Sequence, residues 1–96
     1  MSWTEKKKSI KEILRYLKDL KENEILRIKN YKEDRSIDIK KLNEYIYEIN
    51  EHGFYLTNFR CTNNEIEKIL NKLIKREFNT SYLLKLSKIK YENKSN

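Results

Sequence analysis

The chain offers little from which a reactive centre could be assembled. A single histidine (His52), a single cysteine (Cys61) and a single glycine (Gly53) stand among its 96 residues. A thiol nucleophile needs a general base beside it, and His52 is the one candidate for Cys61. A metal centre needs three or four converging donors, whereas His52 with Glu48 one helical turn earlier supplies two. One cysteine excludes an internal disulfide or a multi-cysteine zinc site, and one glycine cannot build a phosphate loop. The paired carboxylates Glu44 and Glu48 have the spacing of neighbours on a solvated helix face. The expectation is no enzymatic activity, no metal and no cofactor.

Basic stripes are the stronger chemical signal. Lys8, Lys11, Arg15 and Lys18 recur at helical spacing, as do Lys68, Lys72, Lys75 and Arg76, each opposite an apolar stripe. Lys85 and Lys88 add a third group. Stripes of this kind can track a phosphate backbone, so these ten residues are the candidate nucleic-acid contacts. The alternative is a solvated lysine face. A helix-turn-helix over 63–91 is a weaker pattern, because its first helix is long and its turn lacks glycine. Tyr45, Tyr47, Phe54, Tyr55 and Phe59 form the candidate partner-binding set, since aromatic rings carry much apolar area on a rigid side chain.

The elements that would position these residues read as helices. Ser2 and Glu5 have capping-box spacing, and Ile10, Ile13, Leu14, Leu17 and Leu20 follow on one face. The pattern runs on less cleanly through Ile25, Ile28 and Tyr31. A helix over 4–33 would be ~45 Å long, more than the ~32 Å width of a compact globule. Either it breaks near Asn23 or it projects against another chain. The long helix is preferred, because no turn cluster interrupts 20–34. Ile39, Leu42, Ile46 and Ile49 then make the seam of a second helix capped by Ser36 or Asp38 and stopped at Gly53 in a left-handed conformation. Residues 54–61 read as an ordered aromatic loop. Thr62 and Glu65 open a third helix through Ile66, Ile69, Leu70, Leu73 and Ile74, interrupted at Asn79, Thr80 and Ser81. Leu83, Leu86 and Ile89 mark a fourth segment, and 92–96 a frayed tail.

Composition points the same way. There is no proline, 39% of residues are charged, and the net charge is +7. That profile favours helices over a β-sandwich. Basic charge collects at the two ends of the chain around a net acidic 36–53. Codon usage is the alternative source of that charge, since Lys, Ile, Asn and Tyr are A/T-rich-codon residues and Ala, Val and Gln are absent. No apolar run is long enough to span a membrane, and no apolar signal core follows the charged start. The expected molecule is an all-α bundle of three to four helices, a single domain over 1–91, cytoplasmic, without a membrane partner, and homodimeric through its long first helix. Its expected function is nucleic-acid binding or regulation of phage or plasmid type. The alternative is a protein-binding inhibitor or adaptor, such as a phage-encoded inhibitor of a host defence nuclease (an anti-CRISPR, for example). A structural homo-oligomer is the third reading.

Overall fold

Alternation with a period of two, rather than a seam at three and four, governs residues 24–62. Leu26 and Ile28, Ile37 and Ile39, and Tyr47 and Ile49 are buried, while the residues between them are only half-buried. That pattern makes strands with one covered face. The structure is a computed structural model that describes residues 2–22 and 24–90. Along the chain run β1 (Ser2–Glu5), α1 (Lys6–Asp19), β2 (Glu24–Asn30), β3 (Ser36–Lys41), β4 (Ile46–His52), β5 (Leu56–Thr62), α2 (Ile66–Glu77) and β6 (Leu83–Lys90). The six strands form one sheet in the order β1-β6-β2-β3-β4-β5, every neighbouring pair antiparallel. β2 to β5 is a meander of hairpins. β6 returns to lie between β1 and β2.

The all-α bundle is therefore corrected to a sheet covered by two helices. The long first helix ends at Asp19, and its weaker continuation at Ile25 and Ile28 is β2. Asn23, where a break was considered, lies outside the described residues, as do Tyr91 and the 92–96 tail. The expected second helix is the β3–β4 hairpin: Leu42 falls in its turn and Ile46 points to the uncovered face. The aromatic loop is a hairpin tip followed by β5, and the fourth segment is β6. With α1 ending at Asp19, no projecting helix is present for the expected homodimer to form on. None of the described helices is long and apolar enough to cross a membrane.

α2 matches its expected stripe, burying Ile66, Leu70, Leu73 and Ile74. Glu65 reaches back to Thr62, accepting from its backbone N–H at 2.9 Å and its hydroxyl at 3.1 Å. That is one half of the expected capping box, although the helix begins at Ile66. At the first expected box, Ser2 instead lies in β1, and Glu5 sits at the N-cap of α1 without a capping hydrogen bond. α1 contributes Ile13 and Leu17, with Leu20 just beyond it. The helices cover Leu26, Ile28, Ile37, Ile39, Tyr47, Ile49, Cys61, Leu84 and Leu86, and Phe78 completes the core. Burying these side chains drives the two-layer arrangement, at ~25 cal/mol per Å² of apolar surface removed from water. α1 and α2 lie antiparallel. Lys6 and Ile10 share a groove with Asn71 and Ile74, while Leu17 shares one with Ile66. The Lys6 ammonium donates to the carbonyls of Phe78 (3.2 Å) and Asn79 (3.1 Å), a cation on the C-terminus of α2.

The turns use side chains where glycine would be expected. Asn43 Oδ1 accepts from the N–H groups of Tyr45 (2.8 Å) and Ile46 (3.0 Å) between β3 and β4. Between β2 and β3, Asn30 accepts from Arg35 N–H and donates to Asp34, while Glu33 takes a left-handed φ of 58°. Gly53 has no positive φ, which corrects the left-handed helix stop. Close approach explains it instead, because a Cβ there would collide with the carboxylate of Glu77.

Candidate functional site

Cations on this fold fall into two populations. On the uncovered face of the sheet several are matched by acids, whereas Arg60 on β5 makes no ion pair among the described residues. Arg27 forks onto Asp38 from the adjacent strand with two bonds of 2.9 Å. Lys29 and Lys85 converge on Glu33 at 3.4 and 3.5 Å. Trp3 stacks at 5.9 Å on Tyr31 beside Lys85. Lys88 reaches Glu24 on the helix side of the sheet at 3.7 Å.

The outer side of the helical layer is different. Lys8 meets Glu5 at 3.5 Å and Arg15 meets Glu12 at 3.1 Å, both exposed pairs of small worth. Lys7, Lys11 and Lys18 on α1, and Lys68, Lys72 and Lys75 on α2, are exposed, and no ion pair reaches them among the described residues. At 100° per residue Lys11 points directly away from the core, with Lys7 and Lys18 inclined toward α2. By the same measure Lys68 points directly outward and Lys75 inclines toward α1. Lys6, Lys7 and Lys75 line a groove of about 550 Å³ between the helices, floored by Ile10 and Ile74. Lys72 leans the other way, over β5.

The structure thus brings Lys8, Lys11, Arg15 and Lys18 together with Lys68, Lys72 and Lys75 on one face. Lys85 and Lys88 lie elsewhere. Arg76 turns inward, forked onto the fully buried Glu51 with a 2.7 Å bond from Nε and a second from Nη2. The aromatic set is dispersed. Tyr47 is buried in the core, Phe59 is half-buried beside it, and Tyr45 is exposed in the β3–β4 turn. Phe54 and Tyr55 project from the tip at the other end of β4.

That tip rests on groups the sequence reading passed over. Glu77 is fully buried and accepts from Phe54 N–H at 2.8 Å and Tyr55 N–H at 3.2 Å. Arg35 stacks on Phe54 at 3.7 Å and Arg76 on Tyr55 at 4.4 Å. Burial pushes Glu51 up, but the Arg76 fork and the hydrogen bonds from Glu77 and Thr57 outweigh it and hold the carboxyl at about 2. Burial and the neighbouring Glu51 push Glu77 up, against the two backbone donors. One signal pointed to Glu51: it continues the inward phase of Tyr47 and Ile49.

His52 and Cys61 are not brought together. His52 ends β4 on the uncovered side, whereas Cys61 is buried against the helices. Burial, then Glu65, pushes the thiol up to about 11. Glu48 lies on the uncovered face of β4 and Glu44 in the turn before it. Among the described residues, no group of three or more His, Cys, Asp or Glu side chains is placed to hold a metal ion. No protein-family model, curated protein or solved structure matches the chain.

Proposed function

We propose that the chain binds nucleic acid by laying a phosphate backbone along its antiparallel helix pair. The observation that carries this reading is the set of six exposed lysines, Lys7, Lys11, Lys18, Lys68, Lys72 and Lys75, on one face and in no ion pair among the described residues. A sheet face on which Arg27, Lys29 and Lys85 are already held by acids, and Arg60 stands alone, has less to offer a polyanion. Lys8 and Arg15 join the surface at small cost, since their pairs with Glu5 and Glu12 are solvated. Lysine acts as a point charge rather than a base-reading fork, so the binding is expected to be weakly sequence-selective. This narrows the candidate contacts, leaving out Arg76, Lys85 and Lys88.

Fluorescence anisotropy on a short duplex and on a single strand, across a salt series, tests it. Each phosphate neutralised contributes about 0.9 to the slope of log affinity against log salt, so six contacts predict a loss of ~10³ between 50 and 200 mM. Lys68, Lys72 and Lys75 changed together to Glu should remove binding while leaving the circular dichroism intact. Absence of binding to either probe at ~50 mM salt would sink the reading. The rival, an inhibitor or adaptor that covers a protein surface, is favoured by one observation: the exposed Phe54 and Tyr55 on a pinned tip.

A further inference from the structure

The sheet ends in two unlike edges. β1 is four residues long, whereas β5 pairs with β4 over seven residues from Ile46↔Thr62 to His52↔Leu56 and, among the described residues, presents its other side to no strand. Natural edges are blunted by shortness, proline, bulges or charge. β5 has no proline and an unbroken register, and carries a single charge, Arg60. Beside it, between β5 and α2, a groove of about 290 Å³ is lined by Thr57, Phe59, Ile69 and Leu73, with Lys72 and Arg76 at its rim. Leading into the edge are Phe54, Tyr55 and Leu56, which are 61%, 54% and 81% exposed. Three consecutive exposed large apolar residues are unusual on a surface without a partner. They are also held still, because Glu77 fixes the Phe54 and Tyr55 amides and Arg35 and Arg76 stack on the rings. A surface ordered in advance loses less entropy on docking.

Charge selects the occupant. Arg60 on the uncovered side and Lys72 on the helix side make no ion pair among the described residues. Antiparallel pairing of β5 with its own copy about Phe59 would place each Arg60 diagonal to the other, a like-charge contact. We propose that the β5 edge accepts an extended acidic protein segment as a seventh strand. Apolar side chains at alternate positions would fill the Phe59–Ile69 groove, and carboxylates at the intervening positions would meet Arg60. This is recognition by strand addition, in which backbone bonds supply affinity and alternate side chains supply specificity. It shares Lys72 with the lysine face but does not require that face to bind nucleic acid.

The probe is a fluorescent, end-blocked nine-residue peptide of alternating Val and Glu. Controls of the same length carry Lys for Glu, or Pro at the centre with the acidic charge retained. The Val–Glu peptide is expected to saturate the protein, with amide exchange slowed within 56–62. The Pro and Lys controls should bind at least about tenfold more weakly, and Arg60→Glu should reverse the charge preference. The proposal is overturned by no Val–Glu binding at about 1 mM, or by equal binding of the Pro peptide. Protection confined to α1 and α2 would also overturn it, as would a protein that is already dimeric through β5 by light scattering and exchange.

Discussion

Replacing Arg76 by Met leaves Glu51 as a charge without its counterion. The side chain of Glu51 is 0% exposed and that of Arg76 31%. Removing one partner of a fully buried pair costs ~3–5 kcal/mol, and the partial solvation of this guanidinium moves the expectation to ~3 kcal/mol. A 96-residue chain is stable by roughly 5–14 kcal/mol, so the loss is a large share of the total. At ~1–1.5 kcal/mol per molar of urea, the midpoint should fall by about 2–3 M at pH 7. The pH dependence provides the sharper check. In the parent, Glu51 is depressed from 4.5 to about 2, so its stabilisation is present above 4.5 and is lost as pH falls through that window. Without Arg76, burial is expected to outweigh the remaining hydrogen bonds from Glu77 and Thr57 and to push Glu51 above its ordinary value. The native state then binds a proton the unfolded chain lacks, and stability rises as pH falls from 7 toward 5. Glu77 is raised in both proteins and acts with the same sign, so the variant's rise must exceed the parent's. Urea titrations followed by circular dichroism at pH 7 and 5 measure both quantities. A midpoint shift below about 0.5 M, or no excess gain at pH 5, refutes the reasoning. Combining Arg76→Met with Glu51→Met should recover most of the loss.

At Gly53, an Ala Cβ would overlap Glu77 Oε1 and lie 2.8 Å from its Cδ and 3.1 Å from Arg35 Cγ. Gly53→Ala should cost ~1–2 kcal/mol and speed amide exchange at Phe54 and Tyr55, and unchanged exchange there would count against Glu77 as the pin. With its pKa at about 11, the Cys61 thiol is about 0.1% ionised at pH 8, so a disulfide reagent should react at least ~100-fold more slowly than with free cysteine until urea unfolds the chain. Labelling of the native protein within a minute would contradict its burial.

What was legible in the sequence is what a helix displays locally. The stripe Ile66, Ile69, Leu70, Leu73 and Ile74 and the lysines opposite it lie within a few turns of each other, and α2 carries both. The same is true of α1 as far as Leu20. The sheet was hidden by its turns and its polar face. Asn43 and Asn30 build their bends with side-chain carbonyls, and Glu33 takes the left-handed corner itself, so glycine marks the β4–β5 hairpin alone, at Gly53, and proline marks none. The strands use Ile without Val and put Lys, Glu and Asn on the uncovered side, a composition shared with surface helices. Ile39, Leu42, Ile46 and Ile49 fit a helical seam, yet Ser36-Ile37-Asp38-Ile39 alternates as a strand does. The Arg76–Glu51 pair and the Glu77 clamp join residues 25 and 23 positions apart, and only the sheet register brings them together.

The placement of β6 between β1 and β2 bears on how the molecule assembles. β2, β3, β4 and β5 meet as consecutive hairpins, each closing a short stretch of chain within microseconds. β1 has no such neighbour. Among the described residues its strand contact is with β6, so Thr4 pairs only once Leu84 is in place, as Ile28 does with Leu86. Until α2 has crossed over the meander and delivered β6, the inner edge of β2 stays open and α1 has half a floor. The slow event in refolding is expected to be the arrival of β6 beside β2, with β1 then pairing onto it. Its loop-closure entropy places the overall rate on a millisecond-to-second scale, rather than the microseconds of a helical bundle.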